Sequence, residues 1–216
     1  MMHLGLKRDE SRPVEVLCLG AHSDDIEIGC AGTILRLAKE LPDAWFHWIV
    51  FGAGGSRERE ARTAATLIVG DRLKTIQVNG FQDGFMPYIG NDVKAFFENK
   101  LKTISPDVIF THFRDDAHQD HRLISELTWN TFRDHLILEY EIPKYDGDLG
   151  RPNFYVPLSR EYYQKKVDVL MTAFETQRSK RWFHESTFLG LMRMRGVECN
   201  ASSGYAEAFY SRKCVL

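Results

Sequence analysis

The chain of 216 residues predicts an α/β fold built around a mostly parallel sheet with helices on both faces. Short apolar runs typical of buried strands alternate with longer amphipathic stretches typical of helices, which is the pattern of repeated βαβ units. No internal repeat, low-complexity tract or linker interrupts this alternation. The length also suits one domain with a hydrophobic core of its own. We therefore expect residues 1–216 to form a single Rossmann-like domain.

The strands and helices of the first two thirds follow from composition and spacing. Five apolar runs rich in β-branched and aromatic residues predict strands at 14–20, 45–51, 73–78, 107–111 and 136–142. The segments between them have helical periodicity and predict helices at 32–40, 56–70, 92–104 and 118–134. Ser56 suits the N-cap of the second helix, and Gly70 suits its end. Since a helix joins each pair of strands, neighbouring strands are expected to run parallel.

The last third of the chain is less regular. Residues 143–157 are rich in Gly, Pro and Asp and predict a long loop with a functional role. Two further helices are predicted near 160–173 and 178–196. Ligands bind outside the carboxyl ends of parallel strands, so we expect the 143–157 loop to close one side of a pocket there. Tyr155, within this loop, is the expected substrate contact.

Composition excludes several classes of function. The formal net charge of −2 gives no reason to expect binding to nucleic acid or to an anionic membrane. The four cysteines have no CxxC spacing and no disulfide pattern, which is typical of a reducing compartment. The first ten residues lack the apolar core of a signal peptide, and no later run is long enough to span a bilayer. We expect a cytoplasmic protein without a transmembrane segment; whether it forms a homo-oligomer is left open.

Two short segments combine histidine and aspartate just after predicted strands. Residues 21–25, Ala-His-Ser-Asp-Asp, follow the first strand, and residues 118–121, His-Gln-Asp-His, begin the helix after the fourth. Because ligands bind at the carboxyl ends of parallel strands, we expect both segments to line one site. Two imidazole nitrogens and a carboxylate oxygen form a donor set for catalytic zinc, or for ferrous iron, with a position left open. Asp24, adjacent to a ligand, is the candidate general base.

Each of these residues also has an ordinary structural interpretation. His22 could cap a helix or lie at the surface, and His118 with His121 could be a solvated pair on one helix face. The acidic pair 115–116 is expected to favour the positive N-terminus of that helix. Glycine-rich residues 51–56 lack the lysine of a P-loop and predict a turn or a close approach of substrate to the backbone. The remaining histidines are expected at structural or surface positions: His3, His47, His112, His135 and His184.

The two segments together resemble a known family. Ala21-His22-Ser23-Asp24-Asp25 and His118-Gln119-Asp120-His121 are similar to the motifs of the LmbE-like, or PIG-L, family of metal-dependent N-acetylglucosamine deacetylases. Those motifs are usually Ala-His-Pro-Asp-Asp and His-x-Asp-His, so Ser23 replaces a proline and no ligand is lost. The resemblance extends to Arg57-x-x-Glu60-x-x-x-Ala64, to residues 166–177 and to Tyr205-Ala206-Glu207-Ala208-Phe209.

The resemblance implies a role for each matched residue. Asp24 matches the general base, and His118 matches the residue that stabilises the oxyanion. Asp120 matches a residue that orients or tunes a histidine. The expected ion is zinc, with ferrous iron as the alternative. The matched metal ligands are His22, Asp25 and His121.

Arg57 has two interpretations. By the resemblance it contacts a sugar hydroxyl or a phosphate of the substrate, for which a guanidinium offers a fork of donors. Its place just after the second predicted strand brings it to the same edge of the sheet. The alternative is an ordinary helical ion pair with Glu58 or Glu60.

The expected function is that of a zinc-dependent hydrolase that removes the N-acetyl group from an amino sugar or its conjugate and releases acetate. The conjugate could be a sugar nucleotide, a glycan or an antibiotic precursor, so the expected partner is a small-molecule amino-sugar substrate. Water activated by the metal and deprotonated by Asp24 would attack the acetamide carbonyl. Two alternatives stay open: a sugar- or nucleotide-binding protein without turnover, and a metal-dependent hydrolase of another amide.

Overall fold

The computed structural model describes residues 11–215, and within that range seven strands form one sheet. The expectations about residues 1–10, including His3, lie outside the described residues. Across the sheet the order of strands is β3-β2-β1-β4-β5-β7-β6, and the first five run parallel. The predicted α/β fold with a mostly parallel sheet is therefore confirmed. In chain order the strands are β1 Glu15–His22, β2 Trp45–Gly52, β3 Leu73–Val78, β4 Val108–His112, β5 Leu136–Tyr140, β6 Phe154–Pro157 and β7 Ala206–Tyr210.

Six α-helices of the described range cover both faces of the sheet. They are α1 Asp25–Glu40, α2 Ser56–Val69, α3 Gly90–Asn99, α4 Gln119–Thr131, α5 Arg160–Ala173 and α6 Glu185–Glu198. Helices α1, α2, α5 and α6 contribute to the core on one face, and α3 and α4 to the core on the other. Val16 and Cys18 of β1 enter the first core, whereas Leu17 and Leu19 enter the second, because side chains alternate along a strand. None of these helices is both long and apolar enough to cross a bilayer.

Four elements differ from the prediction: two strands that were not expected and two helices that begin at other residues. The 143–157 segment is not a loop throughout, since its end forms β6, and β7 pairs antiparallel with both β5 and β6. Helix α1 begins at Asp25 rather than at residue 32, because residues 25–34 are all buried and so lack the polar face that makes a helix recognisable. Helix α6 begins at Glu185 rather than at residue 178, and the side chain of His184 caps it by accepting the Ser186 N–H.

The arrangement of β1 and β4 positions the two motifs. These strands are parallel neighbours, with Val16 opposite Val108 and Cys18 opposite Phe110. Strand order runs outwards from β1 through β2 and β3 on one side, and from β4 through β5 on the other. The carboxyl ends of β1 and β4 therefore flank the point where strand order reverses, which is where open α/β sheets bind ligands. The loops that lead into α1 and α4 meet at this point.

Candidate functional site

The site is built at the starts of two helices. His22 is the last residue of β1, Asp25 is the first residue of α1, and His118 and His121 lie at the N-cap and in the first turn of α4. His22, Asp25 and His121 are 6%, 4% and 2% exposed. Polar groups buried to this degree need partners.

Three donor atoms lie at the corners of a small triangle. His22 Nδ1 is 3.1 Å from His121 Nε2 and 3.3 Å from Asp25 Oδ2, and the third side, from His121 Nε2 to Asp25 Oδ2, is 3.5 Å. Zinc with tetrahedral ligands at about 2.0–2.1 Å holds those ligands about 3.3–3.4 Å apart. The separations and the donor types therefore fit a divalent ion, and these atoms could hold one with a fourth position open. We call these three residues the donor triangle.

His22 and His121 each have a second ring nitrogen that is not part of the donor triangle. Each of these nitrogens lies close to a carboxylate oxygen. His22 Nε2 is 3.3 Å from Asp120 Oδ2, and His121 Nδ1 is 3.0 Å from Asp116 Oδ2. Asp120 also accepts the backbone N–H groups of Gly84 and Met86, at 2.7 and 3.1 Å. Histidines that bind metals usually present their second nitrogen to a carboxylate or carbonyl, which orients the ring. The surroundings of the donor triangle thus also fit a metal centre.

Asp25 and His121 are in the protonation states that metal ligands need, whereas His22 is not. Burial opposes charge on Asp25, but the neighbouring imidazoles of His121, His112 and His22 keep its pKa well below the usual range of a carboxyl group. Burial and the neighbouring His112 lower the pKa of His121 to about 4, so this ring is neutral at pH 7. Burial also opposes protonation of His22, yet Asp25, Asp120 and Asp83 together raise its pKa. A metal ion would therefore release a proton from His22 when it binds.

Asp24 is a buried carboxyl group that stands apart from the donor triangle. It is 4% exposed, and burial together with the adjacent charge of Asp25 raises its pKa. Arg57 partly offsets this effect, with Nη2 at 3.5 Å from Asp24 Oδ1. A carboxylate whose pKa is raised above its ordinary value is a stronger base than an ordinary one. The chemistry open to Asp24 is therefore proton transfer.

The structure brings Arg57 to the site. Its Nε donates to Ser23 Oγ at 3.1 Å, and its Nη1 lies 3.4 Å from Asp83 Oδ2. The alternative helical pairs are absent from its contacts, because Glu58 pairs with Arg62 and Glu60 accepts the N–H and hydroxyl of Thr176. The guanidinium thus lies at the mouth of the site beside two carboxylates.

His118 presents a hydrogen-bond donor to the same space. Its Nδ1 accepts the backbone N–H of Asp120 at 3.2 Å, so the proton of the neutral ring is on Nε2. Burial and the nearby His22 lower the pKa of His118, which keeps the ring neutral at pH 7. Because Nε2 is 3.9 Å from Asp83 Oδ1, too far for a hydrogen bond, its N–H is available to a bound molecule.

His112, expected at a structural or surface position, is buried inside the site. Its Nε2 accepts the Ala21 N–H at 2.9 Å and lies 3.2 Å from Asp25 Oδ2. Its ring stacks on His121 with centroids 3.9 Å apart. The signal that could have identified it is its position, since a polar residue that ends a central parallel strand faces the ligand site.

Two acidic residues of the site were not predicted. Asp83, in the segment after β3, places Oδ1 2.9 Å from His22 Nε2. Asp116 was expected only to favour a helix N-terminus, but it faces His121 and also accepts the backbone N–H of His118 at 2.8 Å. No local pattern marks Asp83, because its approach to His22 depends on the packing of a segment without periodicity.

The structure does not bring Tyr155 to the donor triangle. Tyr155 lies on the edge strand β6, and its hydroxyl oxygen is 3.0 Å from the Pro152 carbonyl oxygen and 3.1 Å from Glu198 Oε2, so its one proton is shared between these acceptors. The beginning of the 143–157 segment does reach the site, since Lys144 Nζ is 3.0 Å from Asp116 Oδ2. Substrate contact by Tyr155 therefore has no support in the geometry, whereas the first residues of the segment do flank the site.

Comparison with known proteins assigns the family. The model of the family described as PIG-L: GlcNAc-PI de-N-acetylase matches residues 17–132, which is more than half of the chain and includes both histidine–aspartate motifs. The chain belongs to the PIG-L family. YaiS of Escherichia coli K12, described as an uncharacterized deacetylase, is 29% identical over 168 residues, which cover 72% of this chain and 88% of YaiS.

Solved structures share the fold of this PIG-L protein. N,N'-diacetylchitobiose deacetylase from Pyrococcus horikoshii superposes with a TM-score of 0.65 at 20% identity, covering 91% of this chain and 83% of that one. The 4-carboxy-2-hydroxymuconate hydratase GalB of Pseudomonas putida KT2440 superposes with a TM-score of 0.72 at 16% identity, covering 94% and 98%. Because the two are named for different reactions, the fold alone does not select the chemistry.

Proposed function

We propose that this PIG-L protein is a metal-dependent N-deacetylase that removes the N-acetyl group from an amino sugar or its conjugate and releases acetate. Family membership and the deacetylase names of its relatives support the reaction class. The observation that carries the proposal is the combination of the donor triangle with a second buried carboxyl group, Asp24, whose raised pKa suits proton transfer. Zinc is the proposed ion, and ferrous iron suits the same donors.

Each residue has a separate task in the proposed reaction. His22, Asp25 and His121 hold the divalent ion, which supplies polarisation of water and of the acetamide carbonyl when bound. Asp24 takes a proton from water as the oxygen bonds to the carbonyl carbon, and it returns that proton to the amine as the carbon–nitrogen bond breaks. His118 donates its Nε2–H to the carbonyl oxygen, where negative charge develops. The products are acetate and a free amino sugar.

Arg57 completes the proposed site as a substrate contact. Its guanidinium is near Asp24 and Asp83 at the mouth of the site, so it is placed to bind hydroxyls of the sugar ring beside the acetamide. A purely binding protein would need neither a metal triad nor a buried carboxyl group of raised pKa beside it. This difference favours the hydrolase over the alternative of a sugar- or nucleotide-binding protein.

The test is a screen for acetate release. Zinc-loaded protein is incubated with N-acetylglucosamine, with N,N'-diacetylchitobiose and with UDP-N-acetylglucosamine, and acetate is measured by a coupled assay. We expect release from at least one of these, and loss of release in Asp24→Asn. Saturable binding of a sugar without acetate would instead establish the binding-protein alternative. Acetate from an unrelated N-acetylated amide, with none from the sugars, would instead establish the alternative of a hydrolase that acts on another amide.

A further inference from the structure

Two exposed aromatic side chains lie on the segment that leads from β3 to α3. Phe85 is 49% exposed and Tyr88 is 81% exposed, although phenylalanine is among the residues most often buried. Their ring centroids are 6.0 Å apart, with an angle of 57° between the ring planes. The two rings therefore form one apolar surface, which we call the aromatic pair.

The backbone beneath the aromatic pair is held in place on both sides of Phe85. Gly84 donates its N–H to Asp120 Oδ2 at 2.7 Å, and Met86 donates its N–H to Asp120 Oδ1 at 3.1 Å. The side chain of Met86 is fully buried, and Ile89 packs against the same core. Because the neighbouring side chains face inwards, the aromatic pair is held outwards, towards solvent.

The same contacts place the aromatic pair beside the donor triangle. Asp120 Oδ2 also lies 3.3 Å from His22 Nε2, so one carboxylate contacts both the triangle and the segment that carries the pair. Asp83, two residues before Phe85, has its Oδ1 3.9 Å from His118 Nε2. Two residues of extended chain span at most about 7 Å. The pair is therefore next to the space that the proposed reaction gives to the acetamide.

We propose that Phe85 and Tyr88 form a second binding subsite, which takes an uncharged ring joined to the N-acetylated amino sugar. This role rests on the proposed function, because the amino sugar is held by the groups described above. Exposed aromatic rings beside a polar site are typical of ligand-binding grooves, where they pack against the apolar face of a ring. A second pyranose and an aromatic aglycone share such a face. The substrate is then a glycoside rather than a free amino sugar.

The charges near the aromatic pair favour an uncharged ring. Asp83 is 55% exposed, and an exposed carboxyl group is ionised at pH 7. Arg57 lies between Asp83 and Asp24, so one guanidinium faces two carboxyl groups. The diphosphate of a sugar nucleotide would be repelled by Asp83, because like charges at close range oppose binding. A neutral glycoside does not meet this repulsion.

The test compares glycosides that differ in the group joined to the amino sugar. N,N'-diacetylchitobiose carries a second pyranose, 4-nitrophenyl N-acetyl-β-glucosaminide carries an aromatic ring, and methyl N-acetyl-β-glucosaminide carries no second ring. We expect kcat/KM for at least one of the first two to exceed that of the methyl glycoside by about fivefold or more. The glycoside with the larger advantage identifies which kind of ring the subsite takes.

Substitution of either ring should reduce this advantage. In Phe85→Ala and in Tyr88→Ala it should fall by about three- to tenfold through a rise in KM, because packing against the second ring stabilises the bound substrate and the transition state alike. Tyr88→Phe keeps the ring and should keep the advantage. Leu67→Ala is the matched control, since Leu67 is also an exposed apolar residue but lies near the far end of α2.

Binding is measured separately from turnover, in zinc-loaded Asp24→Asn. Calorimetry should give a lower Kd for the favoured glycoside than for the methyl glycoside, and adding Tyr88→Ala should remove most of the difference. Ring-dependent binding without acetate from any glycoside would contradict the proposed function and leave the subsite standing. Neither acetate nor ring-dependent binding would contradict both.

Three results would overturn the subsite while the proposed function stands. The first is acetate release with equal kcat/KM for all three glycosides. The second is an advantage that both alanine variants retain. The third is an equal loss on every glycoside together with a change of oligomeric state in gel filtration, which would make the aromatic pair a contact between copies of the chain.

Discussion

At the scale of single residues, two adjacent carboxyl groups are driven to opposite behaviour by their surroundings. Asp25 faces three imidazoles, which lower its pKa despite burial. Asp24 is buried beside the charge of Asp25, and both effects raise its pKa. Neighbouring titratable groups whose pKa values are pushed apart divide the roles of a site between them. This supports Asp25 as a ligand and Asp24 as the proton carrier.

The different roles of Asp24 and Asp25 predict that changing each to asparagine affects metal content and activity differently. Asp24→Asn should keep one zinc per chain and lower kcat by about 10²–10⁴-fold, the usual cost of removing a general base. Asp25→Asn should lose both metal and activity, because an amide is a poor ligand beside two imidazoles. Metal content by plasma mass spectrometry and acetate release measure the two effects. Equal loss of metal in both variants would show that Asp24 is itself a ligand.

A second prediction concerns the orientation of His121. Asp116 Oδ1 accepts the backbone N–H of His118, and its Oδ2 faces His121 Nδ1. In Asp116→Asn the amide nitrogen would face His121 Nδ1 and move the ring proton to Nε2, the atom of the donor triangle. We therefore expect zinc affinity to fall by about 10–100-fold, as for other losses of a carboxylate behind a ligand. Competition with a chelating dye measures it, and affinity equal to that of the control Asp115→Asn, which changes an exposed carboxylate paired with Arg114, would contradict this role.

At the scale of elements, α1 packs against the sheet with no room for a side chain at Gly29. A Cβ atom at Gly29 would lie 2.2 Å from the ring of Tyr140 in β5, so only glycine fits there. The Tyr140 hydroxyl donates to the Leu19 carbonyl of β1 at 2.6 Å, which fixes the ring below the helix. Because Asp25 is the first residue of α1, a shift of this helix away from the sheet would also move Asp25.

Gly29→Ala should therefore destabilise the protein. Overpacking of this kind costs about 1–3 kcal/mol, and any outward shift of α1 should also weaken zinc binding. Gly190→Ala in α6 is the control, because open space surrounds that position and alanine favours a helix by about 1 kcal/mol. Urea denaturation of both variants measures the free energy of unfolding. A Gly29→Ala variant as stable as the control would show that Tyr140 moves aside without cost.

The sequence predicts elements whose chemistry is local and misses those that depend on packing. Four of the five parallel strands, β1, β2, β4 and β5, are almost entirely buried and largely apolar, so composition alone identifies them. β6 contains Pro157 and lies in a segment rich in turn residues, and it pairs only because β7 presents a neighbouring edge. The residues of the site also separate into those that local motifs predict and those that depend on packing. His22, Asp24 and His121 belong to short motifs, whereas Asp83 reaches the site through the tertiary path of its loop.

At the scale of the whole molecule, one buried ion pair joins three elements that are distant in sequence. Lys166 of α5 and Glu207 of β7 are 2.6 Å apart with both side chains 3% exposed. Glu207 accepts the N–H groups of Gly32 and Thr33 within α1, and Lys166 donates to the Ile28 carbonyl. The pair thus fastens the carboxyl-terminal strand to the helix whose first turn carries Asp25.

Removal of Lys166 should leave Glu207 as an uncompensated buried charge. Breaking a buried pair in this way typically costs about 3–5 kcal/mol, so Lys166→Met should lower the free energy of unfolding by that amount. Adding Glu207→Gln should recover part of the loss, because the amide is neutral and still accepts one N–H of α1. Lys165→Met, on the exposed side of the same helix, should stay within about 0.5 kcal/mol of the wild type. If urea denaturation gave Lys166→Met the stability of Lys165→Met, the attachment of β7 to α1 would depend on apolar packing alone.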